Sequence, residues 1–74
     1  MISTEFLQGF AELRSNMFEY LDTQNKERGA VPMKYMIALF RDASVKKGSS
    51  VYIIDYFIDE WSSLHPEAFD DSNR

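Results

Sequence analysis

The chain has no cysteine, which excludes disulfides and thiolate metal sites. Its single histidine is His65, so a histidine-based metal site would need carboxylates for its other ligands. Its three glycines, Gly9, Gly29 and Gly48, stand apart, so no glycine-rich phosphate loop is present. No stretch approaches the roughly 20 apolar residues of a membrane span. The opening Met1-Ile2-Ser3-Thr4-Glu5-Phe6 has neither a basic segment nor an apolar run of secretory length. These absences set the expectation of a cytoplasmic protein at its native length, with no cofactor, no metal and no membrane partner.

What is present is apolar. Hydrophobic residues make up 45% of the 74 and aromatics 15%, too much for a disordered chain. One domain is expected. A chain this short buries only about 60–65% of the surface its unfolded form exposes. Without a covalent staple it must rely on packing or self-association.

The net charge of −4 is unevenly spread. Residues 1–25 carry −3, residues 26–50 carry +4 and residues 51–74 carry −5. A basic middle between two acidic ends reads first as charge complementarity between helices. The sharper reading is a bipolar surface that selects a partner.

Hydrophobic periodicity predicts three amphipathic helices, over about 4–26, 32–46 and 50–64. Ser3 is the expected N-cap of the first, with Ile2 stapled to Leu7. Gly9 falls on its polar side and lowers its propensity by roughly 1 kcal/mol relative to alanine. Gly29 is its stop. Pro32 is expected at the first position of the second helix and Gly48 at its end. Ser49 or Ser50 caps the third, which stops at His65 because Pro66 follows. Val51–Ile54 has strand character, but the apolar spacing stays helical for four turns and no second strand is available. The predicted fold is therefore all-α: a small bundle of about three helices in one domain, 1–65, with a polar tail over 66–74. Phe69 is the one residue of that tail expected to tuck back. Each apolar arc spans about 160–180°, broader than a minimal bundle needs, so self-association is also expected. Phe18, Ile54, Phe57, Ile58 and Trp61 are its candidate residues.

No catalytic constellation is visible, so the protein is read as a non-enzyme. His65, at a helix end, suits a capping or surface role better than a general base. Asp55 and Asp59, one turn apart, read as a solvated face before a metal pair. Arg14 interrupts the apolar arc of the first helix. It is either a snorkelling side chain that reaches water or an acid on another helix, or an interface arginine. Tyr52 and Tyr56 are one turn apart among Asp55, Asp59 and Glu60, a composition suited to contact. Arg14, Tyr52, Asp55, Tyr56, Asp59 and Glu60 are thus the candidate partner-binding residues.

The expected function is regulatory binding of another protein. The specific expectation is an inhibitor or antirepressor-type factor that sequesters a transcription regulator or other nucleic-acid-binding protein. A rival is a nucleic-acid-binding regulator acting through Lys34, Arg41, Lys46 and Lys47. The acidic face of the third helix argues against it. A structural assembly subunit is the third possibility.

Overall fold

The computed structural model describes residues 3–70. These form α1 (Thr4–Gln8), α2 (Ala11–Glu27), α3 (Met33–Lys46), α4 (Val51–Leu64) and a 3-10 helix, Pro66–Phe69. Among the described residues there is no strand. The all-α expectation holds, and the strand character of Val51–Ile54 is overridden by its helical spacing.

The single helix expected over 4–26 is divided. At Gly9 and Phe10 the backbone bonds tighten to i→i−3. Gly9 N–H donates to Phe6 O at 3.2 Å and Phe10 N–H to Leu7 O at 2.9 Å. Phe10 has left the α region (φ −115, ψ 19), and its carbonyl accepts from Arg14 N–H to open α2. Glycine resists such a break least. The bend is driven by packing: Leu7 and Phe10 both settle on the cluster formed by Met17, Ile53, Ile54, Phe57 and Ile58.

Ser3 caps α1 as expected, its Oγ accepting from Phe6 N–H at 3.1 Å. The proposed staple residue Ile2 lies outside the described residues. Gly29 (φ 62) and Gly48 (φ 97) hold the left-handed conformation that ends α2 and α3. Pro32 stands one residue before α3 rather than in it, because its ψ of 138 is extended. Ser50 is the N-cap of α4, although its hydroxyl makes no capping bond.

Helices α2, α3 and α4 each pack against the other two, so the body has three seams. Helix α4 supplies most of the core. Ile53, Ile54, Phe57, Ile58 and Trp61 are buried against Met17 and Leu21 of α2 and Met33 of α3. The width of the α4 arc therefore does not by itself call for a second chain. The broad arc of α4 is filled inside one chain, because it faces two helices and the 3-10 helix at once.

Part of the expected tail is also packed. Pro66–Phe69 coils into the 3-10 helix, Ala68 is buried and Phe69 meets the Trp61 ring edge-on. Residues 71–74 lie outside the described residues.

Candidate interaction surface

Helix α4 turns its unburied side away from α2 and α3. Tyr52, 79% exposed, Tyr56 and Asp59 form a ridge along it. The ridge is held on both flanks by an arginine–carboxylate fork. On the α2 side, Arg14 donates from Nε and Nη2 to the two oxygens of Glu60, at 2.9 and 2.8 Å. On the α3 side, Arg41 donates from Nε and Nη2 to the two oxygens of Asp55, at 2.6 and 3.2 Å. Both pairs are half exposed. Their value is therefore geometric more than energetic, since a planar fork fixes orientation while solvent screens the charge.

The electrostatics follow the geometry. The hydrogen bonds from Arg14 hold the Glu60 carboxyl below its ordinary pKa, with burial opposing. The same contact raises Arg14. Arg41 is raised by its hydrogen bonds to Asp55 and then by the charge of that carboxylate. Arg14 also lies over the Phe18 ring, 4.2 Å from its centroid, which accounts for an arginine within an apolar arc.

The structure divides the expected contact set. Tyr52, Tyr56 and Asp59 face solvent together. Asp55 and Glu60 sit beside them but are engaged by arginines of the same chain. Arg14 therefore meets an acid on another helix of its own chain, the first of its two readings. A cleft of about 250 Å³ opens where Leu7, Ala11, Arg14, Tyr56, Phe57 and Glu60 meet.

The expected self-association residues lie elsewhere. Ile54, Phe57, Ile58 and Trp61 are buried in the core, and Phe18 packs against both core clusters. The four α4 residues are therefore spent on α2 and α3 within the chain, while Phe18, on α2, stays partly buried. Of the four cations in the nucleic-acid alternative, Arg41 is committed to Asp55. Lys34, Lys46 and Lys47 are exposed on α3 and at its end.

His65 packs against Trp61, ring centroids 4.6 Å apart and planes tilted by 34°. Its Nδ1 lies 3.2 Å from Glu67 Oε1 and its Nε2 3.6 Å from Asp22 Oδ1. The carboxylates approach opposite ring nitrogens, so they cannot close on one ion. Among the described residues no three His, Asp or Glu side chains are placed to hold a metal. Trp61 Nε1 donates to the same Asp22 oxygen at 2.9 Å, which satisfies the one polar atom of the indole.

Two features escaped the sequence reading. Arg28 is 6% exposed. Its guanidinium donates to Asn25 Oδ1, Val31 O and Ala68 O at 3.0, 2.8 and 2.9 Å, tying the end of α2 to the 3-10 helix. The second is an open groove of about 450 Å³ along the α2/α3 seam, with Tyr20, Met36, Leu39, Phe40 and Ala43 among its lining residues. The signal was present in Tyr35 and Leu39, which fall on α3 one turn apart and away from the core.

Compared with known proteins, the chain matches no family model, and neither a curated protein nor a solved structure shows significant similarity to it.

Proposed function

We propose that this chain is a small, acidic, non-enzymatic regulatory protein that acts by binding another protein through the outward ridge of α4. The observation that carries this reading is Tyr52, 79% exposed on a helix whose inner face is buried and whose flanks are forked to α2 and α3. A rigid aromatic on a fixed frame loses little conformational freedom when it binds, and its hydroxyl supplies direction. Tyr56 and the cleft beside it extend the same surface.

The partner class we propose is a transcription regulator or another nucleic-acid-binding protein, sequestered by inhibitor or antirepressor action. Asp59 on the ridge, exposed Glu12 and Glu19 on α2 and the net charge of −4 favour the approach of a basic surface. Asp55 and Glu60 bring their own arginines, so they contribute hydrogen-bond geometry more than free charge. Direct binding of nucleic acid has less support. Arg41 is engaged by Asp55, and Asp42 sits beside it on α3.

Affinity capture from the native host tests this reading, with wild type and the Tyr52→Ala/Asp59→Lys variant as parallel baits. The expected result is a protein retained by wild type and depleted at least about tenfold on the variant, as loss of one interface anchor predicts. Equal recovery on both baits overturns the ridge assignment. A nucleic acid bound with steep salt dependence, and released by Lys34→Glu, overturns the function itself.

A further inference from the structure

The three seams of the body are finished differently. The α2/α4 seam is crossed by the Arg14–Glu60 fork and the Trp61–Asp22 hydrogen bond. The α3/α4 seam is crossed by the Arg41–Asp55 fork. Among the described residues no side-chain hydrogen bond or ion pair crosses the α2/α3 seam. There Tyr20 stacks on Phe40, with centroids 5.0 Å apart and planes 27° apart. On the α3 side of that stack the surface stays apolar, with Leu39 50% exposed and Tyr35 57%, while on the α2 side Tyr20, 44% exposed, is bordered by Asn16, Thr23 and Gln24.

We propose that the α2/α3 face is the docking site for a second copy of this chain, related by a two-fold axis passing near Tyr20 and Leu39. Charge placement selects this occupant. Helices α2 and α3 are joined by the short segment 28–32 and meet at their middles through Tyr20 and Phe40, so they run antiparallel. Glu27 ends α2 and is seven residues from Tyr20, which puts both on one side of that helix. Lys46 ends α3 and is seven residues from Leu39, again on one side.

The face thus carries an acid at one end and Lys46 and Lys47 at the other. Each end lies about 10 Å from the Tyr20/Leu39 level, from seven residues of helix rise. A two-fold axis at that level brings Glu27 of each copy to the lysines of the other, while Leu39 and Tyr20 meet their own counterparts. A self-complementary patch of this kind is what an isologous dimer requires. A standard interface takes about 800 Å² from each partner. That is roughly a seventh of the 5270 Å² the chain exposes, within reach of one side in three.

Sedimentation equilibrium on the full chain tests the proposal, at concentrations up to about 0.5 mM, where a dimer of Kd about 0.1 mM is populated. Wild type is expected to dimerise. Leu39→Asp is expected to weaken the dimer on the order of 100-fold, because the axis introduces each change twice. Circular dichroism checks that this exposed substitution leaves the helices intact. Glu27→Lys alone and Lys46→Glu/Lys47→Glu alone should each weaken association, and the three changes combined should restore it. A wild-type chain that stays monomeric overturns the proposal and leaves the face to a different protein. So does a dimer indifferent to Leu39→Asp, or one that the combined charge reversal does not rescue.

Discussion

At the residue scale, the arginines decide more than the acids do. Arg28 is the clearest case, because three neutral acceptors depend on it at once. Arg28→Ala is expected to lower the unfolding free energy by about 2–3 kcal/mol, since it strands the carbonyls of Val31 and Ala68. Urea denaturation measures this, and Arg28→Lys should recover less than half, lacking the planar fork. A loss under about 1 kcal/mol would show that water replaces the guanidinium freely. Glu60 gives a pH test. Its carboxyl is held below the ordinary range by Arg14, so its contribution is complete at neutral pH and is lost as pH falls through that range and below it. Glu60→Gln should therefore destabilise the protein at pH 7 by about 0.5–1 kcal/mol, a value limited by solvent screening. The gap should close as pH falls below the ordinary carboxylate range, followed by denaturation at a series of pH values. The sequence left Arg14 two readings, a snorkelling side chain reaching water or an acid on another helix, or an interface arginine. It did not show which acid, because a helical wheel gives angles within one helix and no register between two. Arg28 was hidden for a related reason: its acceptors are backbone carbonyls, which leave no trace in side-chain pattern.

At the element scale, two helices were legible nearly to the residue, α3 and α4. Both have a strong period and a marked end, Gly48 for one and Pro66 for the other. The α1/α2 break was not legible, because the apolar period runs through Gly9 unbroken and only the pull of the core on Leu7 and Phe10 bends the chain. The 3-10 helix was read as tail since eight of the nine residues from Pro66 offer little apolar area, yet Ala68 finds a place beside Trp61. Gly9 is helical in φ and ψ (−67, −12), and a Cβ added there meets only Phe6 O, at 3.4 Å. Gly9→Ala should therefore stabilise the protein by about 0.5–1 kcal/mol through the unfolded chain. Gly48→Ala should do the opposite by about 1 kcal/mol, because its φ of 97 strains any Cβ. Thermal unfolding of the pair checks both signs, and a shared sign would count against the two backbone assignments.

At the scale of the whole molecule, a 74-residue chain without disulfides has a thin margin, and its last turns contribute to it. Trp61 joins α4 to α2 through Asp22 and to the 3-10 helix through Phe69 and Ala68. Ala68→Asp should cost about 3 kcal/mol by placing a charge in that contact. Emission from the lone tryptophan should move to the red, and unchanged emission would place the 3-10 helix away from the indole. The sequence conveyed the helical class and the acidic, tyrosine-bearing side of α4. It misplaced the surplus apolar area, because the width of an arc does not say how many neighbours a helix will have. The position of α4 carries one more consequence. It stands at the corner opposite the α2/α3 seam, so two chains joined back to back there would hold their tyrosine ridges at far ends, pointing apart. A target built as a pair could then be clasped twice, and avidity would lend a weak single grip the strength it lacks.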